Sequence, residues 1–189
     1  DDIPPLVDCS LASLRSCTTV RGSGRHILLL GDSNARMYIP TFTQIAERSD
    51  LSLSVAVAPL CPWQRDLYYL RGEADCRATQ ADWYGGLIEA LDPDLIVVAH
   101  RPMDDPASAV DIVTPQGWLT PDSEGYGAAL REVSMRSLAL LQAGGRHVVI
   151  IEPIPISTEE DDPLSCLSSA SSIEECIHEA NATRTPREV

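Results

Sequence analysis

Lysine is absent from these 189 residues: every one of the 14 basic side chains is arginine, set against 28 carboxylates, for a net charge of −14. So few cations exclude the basic stripe that nucleic-acid binding requires, and they oppose docking on anionic lipid headgroups. We read the arginine-only usage as the coding bias of a GC-rich genome, a statement about origin rather than function. No run reaches the roughly 20 apolar residues a membrane-spanning helix needs. No Cys-x-x-Cys spacing occurs, so neither a zinc site nor a dithiol redox site is indicated, and no metal is expected. Gly22-Ser23-Gly24 lies before the first apolar run, the wrong side for a dinucleotide-binding turn, and no cofactor is expected. Neither an initiating methionine nor a signal peptide opens the sequence, which therefore reads as part of something longer. No internal repeat is visible.

Six cysteines are present, and they fall into close pairs: Cys9 with Cys17, Cys61 with Cys76, Cys166 with Cys176. Nearest-neighbour disulfides would staple three short loops in otherwise irregular stretches, each worth about 3 kcal/mol for a loop of roughly 15 residues in the chain-entropy view. Disulfides persist outside the reducing cytosol, which places the domain on the extracytoplasmic side of a membrane. The plain alternative is six buried thiols in a cytosolic protein.

The organising stretch is Ile27-Leu28-Leu29-Leu30-Gly31-Asp32-Ser33-Asn34-Ala35-Arg36. A continuous apolar run ending at glycine is the pattern of a parallel strand covered on both faces. Ser33 then stands at the carboxyl end of that strand, where open α/β sheets bind ligands. There its hydroxyl could attack a carbonyl while its own N–H meets the oxyanion. The alternative is that Asp32, Ser33 or Asn34 simply caps the helix that follows. Asp32 adjoins Ser33 and is assigned to supporting the turn.

The chain reads as a single domain over 1–189, with a stapled opening segment at 1–25, an α/β core at 26–155 and a disulfide-bearing segment at 156–189. Met37, Phe42, Ile45 and Ala46 mark a helix ending near Ser49-Asp50, with Pro40 inside its opening turns. Leu51–Ala58 is a second strand, and Pro59–Thr79 reads as a long irregular stretch containing Trp63, Tyr68 and Tyr69. These aromatics either line a sugar surface or pack the stapled loop onto the body. Ala81–Leu91 is a helix with Trp83, Leu87, Ile88 and Leu91 on one side. Leu95–Ala99 is the third strand and His147–Glu152 the fourth. Met103–Ser123 is an insertion beside the active edge, and a helix opens at Pro121-Asp122-Ser123-Glu124 and stops at Gly144-Gly145. Alternating strands and helices predict an α/β fold with a mostly parallel sheet.

An activated serine needs a base, usually a histidine backed by a carboxylate. His26 and His147 precede strands, at the wrong edge. His100 leaves the third strand on the edge that carries Ser33, where it could be the base, an oxyanion donor or a substrate contact. Arg101 beside it could steady a negative charge. The alternative for both is to anchor the insertion by local hydrogen bonds. Glu175 and His178 have the spacing of an orienter and a base, but they sit in a disulfide loop.

Leu28-Leu29-Leu30-Gly31-Asp32-Ser33, Cys61-Pro62-Trp63, Asp94-Leu95-Ile96-Val97-Val98, Ile151-Glu152-Pro153-Ile154-Pro155 and Cys166-Leu167-Ser168 together resemble the GDSL/SGNH hydrolase superfamily. The nearer likeness is to the extracytoplasmic SGNH domain fused behind bacterial membrane acyltransferases of the acyltransferase-3 family. The resemblance implies a flavodoxin-like three-layer sandwich and makes Ser33 the nucleophile. It implies acyl transfer, acetyl above all, to a hydroxyl of a cell-envelope glycan or glycolipid. The partner it implies is a membrane-embedded acyltransferase domain of the same polypeptide. The family completes its site with an Asp-x-x-His pair after a further helix and strand; no Asp-x-x-His occurs here, and His100-Arg101 stands where the superfamily carries an asparagine block. The expectation is therefore a chain lacking its C-terminal catalytic block. The rival readings are a carbohydrate esterase, with water as acceptor, and a glycan-binding module without chemistry.

Overall fold

The computed structural model describes residues 4–69, 74–103, 110–153 and 163–177. Its strands are β1 (Thr18–Val20), β2 (His26–Gly31), β3 (Ser52–Val57), β4 (Leu67–Tyr69), β5 (Leu95–Ala99), β6 (Val110–Thr114), β7 (Gly117–Leu119) and β8 (His147–Ile151). Its α-helices are α1 (Leu14–Cys17), α2 (Ser33–Met37), α3 (Ile39–Arg48), α4 (Ala74–Asp82), α5 (Ile88–Leu91), α6 (Tyr126–Gln142) and α7 (Pro163–Ser169).

The apolar run before Ser33 forms β2, the middle of a five-stranded sheet in the order β1-β3-β2-β5-β8. Parallel pairing sets Leu28 against Ser54 and Ile96, and Leu30 against Ala56 and Val98. β8 extends the sheet in parallel beyond β5, and β1 closes the other flank antiparallel to β3. Side chains alternate between two cores. Ile27, Leu29, Leu53, Val55 and Val97 pack under Ala35 of α2 and under Ile39 and Ala46 of α3. Leu28, Leu30, Ile96 and Val98 pack on the opposite face with Trp83, Leu87, Ile88, Leu91 and Leu141. Burying both faces explains the unbroken apolar run, since each fully buried leucine contributes about 1.5–3 kcal/mol. The result is the mostly parallel α/β layering read from the sequence.

Five expectations need correction. The single helix after Ser33 is two: Tyr38 interrupts it, and Pro40 falls in the first turn of α3, where its missing N–H costs nothing. The stretch 59–79 is not irregular, because it carries β4 and most of α4, the latter leading through a π turn at Trp83–Leu87 into α5. The insertion at 103–123 carries the hairpin β6–β7, which joins β4 in a second, antiparallel sheet of order β4-β6-β7. Short strands with one face on a separate core lack the long apolar runs that reveal a parallel strand. That core unites Leu67, Met103, Val110 and Ile112 with Tyr126, Leu130 and Val133 of α6, which begins at Tyr126 rather than at Pro121. The opening segment, finally, is not wholly aperiodic, since it supplies α1 and β1.

The disulfides Cys9–Cys17, Cys61–Cys76 and Cys166–Cys176 are all formed. Cys17 and Cys61 are buried in the core under the sheet, whereas Cys166 and Cys176 tie α7 to the short 3-10 turn Ile173–Cys176. No helix among the described residues is long and apolar enough to cross a membrane.

Candidate active site

β3 follows β2 in sequence and pairs on one side of it, whereas β5 pairs on the other, so strand order reverses between β2 and β5. Chain exits diverge at such a switch point and leave a crevice outside the carboxyl ends of the strands. A cleft of about 340 Å³ lies there. Ser33, Asn34, Met37 and Tyr38 line it from the β2 exit, Ala99–Pro102 from the β5 exit, and Ile151–Pro153 from the β8 exit.

Gly31 makes the crevice possible. Its φ is +145°, and a Cβ there would stand 1.9 Å from the carbonyl oxygen of Ala99. Only glycine lets β2 turn away this close to β5. The next residue, Asp32, is 1% exposed and caps α2. One carboxylate oxygen accepts the Asn34 N–H at 2.8 Å, and the other accepts the Arg101 N–H at 3.0 Å. Asp32 thus supports its own turn and also ties the β2 exit to the β5 exit.

Capping is therefore done by Asp32, which leaves Ser33 for other work. Ser33 is the first residue of α2 and is exposed. Neither its hydroxyl nor its N–H forms a hydrogen bond with any described residue. An unspent N–H at a first helical position is the ordinary consequence of helix geometry. An unspent serine hydroxyl beside it, facing a cleft, is the pairing that nucleophilic attack on an ester needs.

His100 is 3% exposed and forms part of the cleft wall. Its Nδ1 lies 2.6 Å from the Arg101 carbonyl oxygen, which can only accept, so Nδ1 carries the proton. The ring also meets Trp63 edge-on, with centroids 6.1 Å apart. His100 and Ser33 line the same cleft, and no hydrogen bond between them is among those described. Arg101 spends its main-chain N–H on Asp32, so that amide is not an oxyanion donor. Its guanidinium lies over the Tyr69 ring, 5.3 Å from the centroid.

The remaining candidates lie apart. His26 and His147 are at the amino ends of β2 and β8, at the opposite edge of the sheet. The His26 ring bonds Ser54 Oγ at 2.8 Å, and burial pushes its pKa below the ordinary value against the pull of Asp94 and Asp92. Glu175 accepts the Ser171 N–H at 3.2 Å, and His178 lies outside the described residues. Asn34, Met37, Tyr38 and Glu152 also line the cleft, although the sequence reading assigned none of them a role there. The edge rule that found His100 after β5 points equally to Glu152, the residue after β8.

A family model described as "SGNH domain (fused to AT3 domains)" matches residues 7–188. No curated protein matches the chain.

Proposed function

Since the chain belongs to the SGNH domains of the kind fused to AT3 domains, we propose that it passes an acyl group, acetyl above all, through Ser33 to a hydroxyl of a cell-envelope glycan or glycolipid. The single observation that carries this reading is the Ser33 hydroxyl, exposed in the cleft and bonded to none of the described residues. Ser33 Oγ attacks the donor carbonyl and gives its proton to a base. In the resembled family that base is the histidine of an Asp-x-x-His pair, a pair these 189 residues do not contain. The Ser33 N–H, together with the side-chain amide of Asn34 from the same cleft, receives the developing oxyanion. Collapse of the tetrahedral intermediate expels the donor's alcohol or thiol, which leaves with a proton, and gives an acyl-Ser33 ester. A sugar hydroxyl then attacks that ester, loses its proton and carries the acyl group away, restoring the serine.

Fusion to AT3 domains supports a membrane acyltransferase domain as the donor side. Three disulfides support an extracytoplasmic location, where they persist. The test is labelling with a serine-directed organophosphonate, mapped by peptide mass spectrometry on the full-length polypeptide. The expected adduct is on Ser33 in the wild type and absent from Ser33→Ala. A wild type that takes no adduct at Ser33 overturns covalent catalysis and leaves a glycan-binding module. Acetate release that an added glycan never diverts turns the reading to an esterase.

A further inference from the structure

We infer that the cleft takes an acidic acceptor, a sugar bearing a carboxylate or a phosphate, and that the Arg101 guanidinium binds its anion. This deepens the proposed function by naming the acceptor class, and it rests on that reading for the purpose of the cleft.

Arg101 is held far more firmly than a surface cation. Its main-chain N–H is bonded to Asp32 and its carbonyl oxygen to His100 Nδ1, so both sides of the residue are fixed to buried groups. Its side chain is half-buried and lies over the ring of Tyr69, the last residue of β4. Stacking occupies the flat face of a guanidinium and leaves its N–H edge for a ligand. Among the described residues that edge has no partner: Arg101 forms no side-chain hydrogen bond or ion pair with any of them, and its Nε is buried without one. Glu152 lines the same cleft from the exit of the neighbouring strand.

Among the described residues no carboxylate pairs with this guanidinium, although the chain carries two carboxylates for every arginine. A cation removed from water is stabilised by an anion, and the planar fork of arginine matches the two oxygens of a carboxylate or phosphate. Among the described residues no other arginine lines this cleft. The anion therefore has one place to go, and a sugar held there by its acid group has its hydroxyls beside Ser33 in the same crevice. Apolar Met37, Ile151, Pro102 and Pro153 complete the lining.

The experiment titrates the protein with three probes at low ionic strength: glucuronate, glucose 6-phosphate and neutral methyl glucoside. Binding is followed by the side-chain Nε–H resonance of Arg101, assigned by its loss in Arg101→Gln, and by calorimetry. At least one charged probe is expected to bind tenfold or more tightly than the neutral one and to shift the Arg101 resonance, with the preference fading as salt is added. Whichever of the two is tighter identifies the anion as carboxylate or phosphate. Arg101→Gln abolishes the preference, Arg101→Lys retains a reduced one because it keeps the charge without the fork, and Arg25→Gln at the far edge of the sheet leaves it intact. Equal affinity for charged and neutral probes overturns the inference. So does a preference that survives Arg101→Gln, or one lost equally in Arg25→Gln. The two readings fail separately. A missing organophosphonate adduct sinks catalysis and leaves anion binding standing, whereas indifferent sugar binding by a protein labelled at Ser33 sinks only this inference.

Discussion

The sheet has two ends, and each carries a hollow of similar size: about 340 Å³ at the carboxyl end and about 310 Å³ at the amino end, the latter lined by Arg25, Asp92–Asp94 and Gly144–His147. Both contain arginine, histidine and carboxylate. They differ in what those groups are already doing. At the amino end Asp94 accepts the His26 N–H at 2.7 Å, donates to the His26 carbonyl at 2.9 Å and accepts the His147 N–H at 3.1 Å. Arg146 donates to the carbonyls of Leu141 and Leu140 at the end of α6. Asp94 and Arg146 thus tie strand starts and a helix end together. At the carboxyl end Asp32 holds two backbone amides and the His100 ring a backbone carbonyl, and among the described residues the serine hydroxyl and the guanidinium have no hydrogen-bond partner. Size alone would treat the hollows as equals. Chemistry is available only where the backbone has been satisfied by something other than the reactive groups.

The sharpest way to break this comparison is to add one methyl group at each end. Gly31→Ala forces a Cβ into the Ala99 carbonyl oxygen at a positive φ, so a loss of about 4 kcal/mol or outright failure to fold is expected. Gly145→Ala at the amino end also faces a positive φ, +82°, but meets nothing within 4 Å, and about 1–2 kcal/mol is expected. Denaturant titration of both variants measures the gap. A Gly31→Ala protein with the wild-type midpoint would mean that β2 and β5 do not approach so closely and that the cleft is not fixed as described.

A smaller contrast sets the two backbone-bonding carboxylates against each other. Asp32→Ala strips partners from the amides of Asn34 and Arg101 at a buried site, and about 3 kcal/mol is expected. Asp94→Ala removes one side-chain acceptor at an exposed position, for about 1 kcal/mol. Organophosphonate labelling separates them further, because only the first disturbs the turn that carries Ser33. Equal losses in stability and unchanged labelling in both variants would erase the distinction between the two ends.

The parts legible in the sequence are those written in long apolar runs. β2, β3 and β5 are buried on both faces or nearly so, and a parallel sheet announces itself in that way; β8, at the edge and partly exposed, still carries such a run. The edge rule then placed Ser33, His100 and Arg101 along one rim, and all three line the cleft. The disulfide pairs were legible because short loops between neighbouring cysteines close most easily. The β4-β6-β7 sheet was not, since three- to five-residue strands carry too little pattern to distinguish Leu67-Tyr68-Tyr69 from loop. The contact made by Tyr69 was hidden with it, as nothing local says that its ring will meet Arg101 across 32 positions of sequence. The double duty of Asp32 was half legible: its cap on Asn34 is local chemistry, but its bond to the Arg101 amide spans the switch point and exists only once β2 and β5 are paired.

The smallest expected effect belongs to the amino end, and it is a matter of pH. Burial holds the His26 pKa below its ordinary value, outweighing the raising effects of a Leu91 backbone hydrogen bond and of Asp94 and Asp92. The unfolded chain therefore takes up this proton more readily than the folded one. The sign follows from linkage: the stabilisation by neutral His26 is complete above about pH 6.5, the ordinary histidine value, and is lost as pH falls through the lower folded value. Folding stability should decline in mild acid, before the carboxylates begin to protonate. His26→Gln, which retains a hydrogen-bonding group near Ser54 without the titration, should flatten that decline while leaving organophosphonate labelling of Ser33 unchanged. Denaturant midpoints taken from pH 7.5 down to 5 read the first effect and adduct yield the second. A slope as steep in His26→Gln as in the wild type would show that protonation elsewhere sets the acid response. A loss of labelling would show that the two ends of the sheet are coupled, against the division of labour on which the comparison rests.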